Sequence, residues 1–148
     1  MRRALTNGER ALVAEVFGRS IDCDRVTINA RTWWWFQPRN VVMAPDGHMW
    51  CHPEGGLFRA DYSAESLGLQ GLFIHEMTHV WQHQSGIYLP LRRHPFCRYA
   101  YTLTKGKPLR AYGLEQQAEI MADAFLGMRS RSGEAAPYSP WRDAGNAG

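Results

Sequence analysis

The stretch from Ser66 to Gly86 constrains the fold more than any other, because its apolar residues recur at the period of an α-helix. The residues on the apolar face are Leu69, Phe73, Met77, Val80 and Trp81. The pattern predicts an amphipathic helix that begins after Ser66 and ends near Gly86. The helix contains the motif His75-Glu76-Met77-Thr78-His79, whose polar residues lie opposite the apolar face.

Two further helices are predicted on either side of this one. Thr6 and Glu9 have the spacing of a capping box, which predicts a first helix from about Gly8 to Phe17. A last helix is predicted from about Tyr112 to Met128, where apolar residues again fall on one side.

A small β-sheet is predicted between the first helix and the motif-bearing helix. Residues 26–30 alternate between apolar and polar, and the aromatic run 33–36 follows them. Pro45-Asp46-Gly47 lies between two apolar runs, which predicts a β-hairpin. A strand-like piece is also predicted near residues 99–103. The expected fold class is therefore α+β.

Length and composition indicate one globular domain. We expect that domain over residues 1–128 and a flexible tail over residues 129–148, which are rich in Ser, Gly, Ala and Pro. The net charge of +3 is mild and gives no argument for a nucleic-acid partner. The N-terminus lacks the apolar segment of a signal peptide, and no apolar run approaches the roughly 18 residues of a membrane span. These features predict a cytoplasmic protein with no membrane contact. Its three widely spaced cysteines are expected to be reduced thiols.

The HExxH motif predicts a single zinc ion per chain. Residues four apart on a helix differ by about 40° and one turn of rise, so His75 and His79 can bind one ion. Glu76 is turned about 100° away and can instead reach a metal-bound water. Zinc lowers the pKa of that water toward about 7, and Glu76 can then act as general base. The predicted function is a zinc-dependent hydrolase, with a metallopeptidase acting on a peptide or protein as the favoured type.

A third zinc ligand is expected from the last helix. Catalytic zinc usually has three protein ligands and one open position. Glu115 and Glu119 lie one helical turn apart. One of them can bind the ion while the other accepts a hydrogen bond from a ligand imidazole, which fixes the ring and its tautomer.

The HExxH motif, followed by a second helix with two acids four residues apart, resembles the gluzincin metallopeptidases. In that family the first acid binds zinc and the second orients the first motif histidine. The resemblance implies that Glu115 is a ligand and that Glu119 holds His75, with Glu119 standing where Asp is usual. It also implies a zincin-like fold, in which the HExxH helix packs against a C-terminal helix that bears the glutamates.

Over roughly residues 5–127 the sequence also resembles small bacterial Vgr-related proteins, which are named after a secretion-system spike. The HExxH and Glu segments are similar to the zincin domain of contractile-injection toxins. The matching segments include Phe36-Gln37-Pro38-Arg39, Met43-Ala44-Pro45-Asp46-Gly47, His52-Pro53-Glu54-Gly55-Gly56, His94-Pro95-Phe96-Cys97-Arg98-Tyr99 and Tyr112-Gly113-Leu114-Glu115. This resemblance implies export by a contractile secretion system and a secretion-apparatus or toxin partner.

Other histidines and aromatic residues allow more than one interpretation. His83 is eight residues from His75, about 12 Å along a helix, so the two cannot share an ion. His48 and His52 are more typical of ordinary strand residues than of a peptide cleft. The run 33–36 could stack on single-stranded nucleic acid. A strand with aromatic residues on both faces, one of them in the core, is favoured, because no nucleic-acid motif accompanies the run.

The sequence offers five candidates for stabilising an oxyanion opposite the metal, namely Tyr99, Tyr101, Tyr112, Arg98 and Arg110. Tyr112 is selected as the catalytic candidate because it precedes Glu115 on the same segment. A rival function remains open for the whole chain. It is a zincin-like, non-catalytic binding or structural module that keeps the metal for stability and docks to a secretion-apparatus partner.

Overall fold

A computed structural model describes residues 1–87 and 100–130 of the chain. Within these ranges lie three α-helices, α1 (Asn7–Phe17), α2 (Leu67–Gln84) and α3 (Leu114–Ser130). Four short β-strands accompany them, namely β1 (Arg2–Ala4), β2 (Thr27–Asn29), β3 (Val42–Met43) and β4 (Met49–Cys51). The predicted α+β class is confirmed.

The helices begin at capping residues. The Thr6 hydroxyl accepts a hydrogen bond from the Glu9 amide at 3.1 Å, and Glu9 Oε1 accepts one from the Thr6 amide at 2.9 Å, which confirms the capping box. The Ser66 hydroxyl caps α2 by accepting from the Leu69 amide. Helix α3 starts two residues later than predicted, because Tyr112 is extended after a short 3₁₀ turn.

The C-terminal end of the predicted domain lies within α3. This helix continues through residue 128, where the sequence places the boundary, and ends at Ser130. The predicted tail therefore overlaps the helix at residues 129–130, and its remaining residues, 131–148, lie outside the described part of the chain.

The sheet has the strand order β1-β2-β4-β3. Strands β3 and β4 are antiparallel, which confirms the hairpin, while β2 and β4 are parallel. Asp46 holds the turn by accepting hydrogen bonds from the His48 amide and from Trp50 Nε1. Gly47 has a φ of 87°, a conformation that glycine adopts without strain. Strand β1, which pairs antiparallel with β2, was not predicted.

The aromatic run 33–36 does not form the predicted strand, and none of its side chains enters the core. Trp33, Trp34, Trp35 and Phe36 are 38%, 44%, 81% and 59% exposed. Buried Gln37 explains the difference. It accepts a hydrogen bond from the Trp33 amide and donates to the carbonyl oxygens of Val41 and Trp50. The side-chain amide of Gln37 thus provides hydrogen bonds that the backbone groups of Trp33, Val41 and Trp50 would otherwise need from strand pairing.

The prediction of a strand-like piece near residues 99–103 is also wrong for the residues that the structure describes. Residues 100–103 have no regular secondary structure, and Tyr99 lies outside the described residues. Side chains of α3 and of the residues just before it bind backbone groups in and next to this segment, in place of a neighbouring strand. Gln116 donates to the Ala100 carbonyl oxygen, and the Tyr112 hydroxyl accepts from the Thr104 amide.

Helices α2 and α3 pack against each other and form much of the core. Phe73, Met77 and Phe125 are fully buried. Gly71 permits a close approach, because a Cβ atom there would lie 3.1 Å from Leu126 Cδ1. This packing sets the first turn of α3 beside the middle of α2. Within residues 1–87 and 100–130, no helix has the length and apolar composition that crossing a membrane would require.

Candidate metal centre

Three side chains with metal-binding atoms converge where α2 meets α3. His75 and His79 come from adjacent turns of α2, and Glu115 comes from the first turn of α3. Their ligand atoms all lie within 4.8 Å of one another. His79 Nε2 is 2.7 Å from Glu115 Oε1, and His75 Nε2 is 3.5 Å from Glu115 Oε2. The structure therefore brings the three predicted ligands together.

The remaining ring nitrogen of His75 faces a second carboxylate. His75 Nδ1 lies 3.0 Å from Glu119 Oε1, one turn beyond Glu115 on α3. A carboxylate accepts hydrogen bonds only, so the contact favours a proton on Nδ1 and leaves Nε2 directed at Glu115. The extra methylene of Glu119, compared with Asp, still permits this contact.

His79 is held by a residue that the sequence analysis did not identify. Its Nδ1 lies 2.8 Å from Oε1 of Gln82, whose side chain is fully buried. Gln82 follows His79 by three residues on the same helix, a spacing at which side chains meet. That spacing was the available signal. Glutamine seldom draws attention because most glutamines are exposed.

The donor set fits a zinc ion. His79 Nε2 is buried and makes no hydrogen bond within residues 1–87 and 100–130, since its 2.7 Å contact with Glu115 lacks hydrogen-bond geometry. Atoms that bind one tetrahedral zinc at about 2.0–2.1 Å lie roughly 3.4 Å apart. The two contacts with Glu115, at 2.7 and 3.5 Å, lie on either side of that separation. Two imidazoles and one carboxylate are also ligands that zinc prefers.

Negative charge concentrates around His75. Burial opposes protonation of its ring, but the hydrogen bond to Glu115 and the charges of Glu76, Glu115 and Glu119 outweigh burial and raise the His75 pKa. Glu76 is 4% exposed, and the residue that follows it on α2, Met77, belongs to the core. Three carboxylates near one imidazole make the site electronegative, which favours a bound cation.

The five residues considered for stabilising an oxyanion lie in different parts of the chain. Tyr112 is buried two residues before α3, and its ring lies 4.3 Å from Lys107 Nζ. The Tyr101 hydroxyl donates to Asp123 at 2.6 Å, and burial, followed by that contact, raises its pKa. Arg110 is exposed. Tyr99 and Arg98 lie outside the described residues. The catalytic role of Tyr112 stays a prediction.

The other histidines within the described ranges do not join the cluster. His83 lies against Gly47, where a Cβ atom would approach its ring to 2.8 Å. His48 Nδ1 accepts from the Thr27 amide, and His52 Nδ1 accepts from the Glu54 amide. Both contacts serve the local backbone. Cys23 and Cys51 are free thiols, and Cys97 lies outside the described residues.

Comparison with known proteins gives two matches and one negative result. No protein-family model matches the chain. The chain is 44% identical over 146 residues to the type VI secretion system spike protein VgrG2b of Pseudomonas aeruginosa. That alignment covers 93% of this chain but only 14% of the spike protein. The solved structure of the effector domain of Pseudomonas aeruginosa VgrG2b is 40% identical, with a TM-score of 0.81. There the match covers 97% of this chain and 80% of the solved chain.

Proposed function

The chain belongs to the family of the VgrG2b effector domain, and from this premise we propose that it is a type VI secretion effector domain that hydrolyses peptide bonds with one zinc ion. The predicted relationship to Vgr-related proteins is confirmed. The likeness to zincins, the binding of a metal ion and the catalytic activity are parts of the proposal. The single observation that supports them is the convergence of His75, His79 and Glu115 across two helices.

Each residue of the cluster has a distinct task in this proposal. His75, His79 and Glu115 would hold the ion, and Glu119 fixes the ring of His75. Bound zinc would polarise the scissile carbonyl and lower the pKa of the attacking water. Glu76 would accept a proton from the attacking water and deliver it to the leaving amine nitrogen. Glu76 is 4% exposed, so bulk water has little access to its carboxylate.

The similarity to a spike protein supports a second function within the same family. In this alternative the chain keeps the metal for stability and acts by docking to a component of the secretion apparatus. Delivery through that apparatus and a partner within it are common to both functions. The two differ in whether Glu76 carries out proton transfer.

The first experiment is to measure zinc in chelator-free wild type and in Glu115→Ala. We expect about one zinc per chain in wild type and a clear loss in the variant, since three protein ligands are typical of a catalytic site. No zinc in either protein, even after reconstitution, would overturn the metal site.

The second experiment separates the two functions. A peptide library is incubated with zinc-loaded wild type, Glu76→Gln and Glu54→Gln, whose carboxylate is exposed and paired with Arg39. A peptidase predicts that Glu76→Gln keeps its zinc and loses cleavage by about 10²–10⁴-fold, while Glu54→Gln cleaves like wild type. If zinc-loaded wild type cleaves no peptide, the docking function is favoured. If Glu76→Gln cleaves at the wild-type rate, Glu76 is not the base.

A further inference from the structure

A buried series of amide groups connects His79 to the start of α3. The Gln82 Nε2 group donates to the Leu114 carbonyl oxygen at 3.0 Å and to Gln117 Oε1 at 2.9 Å. Gln117 Nε2 in turn donates to the Tyr112 carbonyl oxygen at 2.8 Å. Gln82 is fully buried and Gln117 is 4% exposed. Water therefore does not compete for these hydrogen bonds.

The two backbone carbonyls determine which way both amides face. A carbonyl oxygen can only accept, so Gln82 must turn its NH₂ group to Leu114 and Gln117 must turn its NH₂ group to Tyr112. Gln82 Oε1 then has to face His79 Nδ1, at 2.8 Å. Because an amide oxygen also accepts only, this contact favours a proton on His79 Nδ1. With Nδ1 protonated, the lone pair of Nε2 and the Glu115 carboxylate are two acceptors side by side, an arrangement that a cation between them would stabilise.

We propose that Gln82, supported by Gln117, is a positioning residue that fixes the His79 tautomer and presents its Nε2 to the metal. The same amide binds the carbonyl of Leu114, the residue before Glu115. One side chain therefore orients one metal ligand and restrains the backbone that carries another. The link to the metal rests on the proposed function, whereas the tautomer is a property of the chain itself.

The test replaces Gln82 by Met, which keeps the length of the side chain and removes the amide. Histidine is labelled with ¹⁵N in the full chain, and the imidazole nitrogen shifts of His79 are recorded after chelator treatment, with circular dichroism to verify folding. We expect Nδ1 to carry a proton in wild type, and in Gln82→Met the proton should shift toward Nε2, where the Glu115 carboxylate is the remaining acceptor. In a separate titration, the zinc dissociation constant should rise about 10–100-fold, as is typical when a partner of a metal-binding histidine is removed.

Gln84→Met is the matched control. Gln84 lies on the same helix, and its side chain also makes two hydrogen bonds to backbone, both with Asp22. Its loss should leave the His79 tautomer and the zinc affinity at wild-type values, even if thermal stability falls. This control separates positioning from a general loosening of α2.

Gln117→Met serves as a second variant if Gln82→Met does not fold. It keeps the Gln82–Leu114 hydrogen bond, so the Nδ1 proton should remain while zinc affinity falls several-fold. An unchanged tautomer and zinc affinity in Gln82→Met would overturn the proposal, and so would an unchanged zinc affinity in Gln117→Met. If wild type binds no zinc but Gln82→Met still alters the tautomer, the proposed function fails and the positioning role of Gln82 stands.

Discussion

Glu9 carries a fully buried carboxylate whose neutralisation should destabilise the whole domain. Its two oxygens accept four hydrogen bonds, two of them from the Arg3 guanidinium at 2.7 and 2.8 Å. The other two come from the amides of Thr6 and Tyr62, at 2.9 and 2.8 Å. One side chain thus joins the first strand, the start of α1 and the segment that leads into α2. The informative substitution is Glu9→Gln, which keeps the shape and removes the charge.

The expected loss follows from these four contacts. Breaking a buried ion pair by removing one partner typically costs about 3–5 kcal/mol. The substituted amide would retain one oxygen for the Arg3 Nη1 and Thr6 donors, but its NH₂ group would face Arg3 Nη2 and the Tyr62 amide, which are also donors. Since domains are stable by only about 5–15 kcal/mol, this is a large fraction of the total. At about 2–4 °C per kcal/mol, the Tm should fall by roughly 6–20 °C.

Thermal and urea unfolding, followed by circular dichroism, measure this loss. The control is Glu15→Gln on the same helix, where the ion pair with Arg129 is partly exposed and should contribute only about 0–1 kcal/mol. If the free energies of unfolding of the two variants lie within about 1 kcal/mol of each other, the buried carboxylate is not a net stabiliser and the reasoning fails.

Three further predictions concern titration, reactivity and metal affinity. The His75 pKa is raised above its ordinary value of 6.5 in the metal-free chain, so protonated His75 stabilises the fold below that pH. This stability is lost as the pH rises through the raised pKa, and a Tm in chelator that does not fall as the pH rises above 6.5 would contradict it. Burial raises the Cys51 pKa to about 11; site-resolved mass spectrometry should find Cys51 unmodified by iodoacetamide at neutral pH until the chain is unfolded. Glu119→Ala should weaken zinc binding about 10–100-fold in a competition titration, and a wild-type dissociation constant would argue against its contact with His75.

Features set by residues close together in the sequence could be predicted from it. The capping box needs only Thr6 and Glu9, and its helix was predicted to within one residue at either end. The hairpin follows from the turn between its strands. The motif histidines share a helix, so their spacing alone places both rings on one face.

Features that depend on distant partners could not be predicted. Average hydrophobicity favours burial of the run 33–36, and only the position of Gln37 against β4 explains why these rings are exposed. Besides capping α1, Glu9 accepts a hydrogen bond from the amide of Tyr62, which lies far along the chain. Gln82 matters because α3 brings a carbonyl and a second amide to it. Each case is a buried polar group whose partner becomes known only when the elements are packed.

The sheet has a consequence for the order in which the molecule assembles. Its strands are only two or three residues long, and β2 pairs with β4 across an intervening strand of the sequence. Ladders this short are not stable by themselves, and closing the loops between them costs entropy before any pairing is gained. Because buried strand residues belong to the same core cluster as residues of α1 and α2, the sheet is expected to form late in folding and in one step with that core. Amide protons of Ile28 and Met49 should then exchange with solvent only when the entire domain opens.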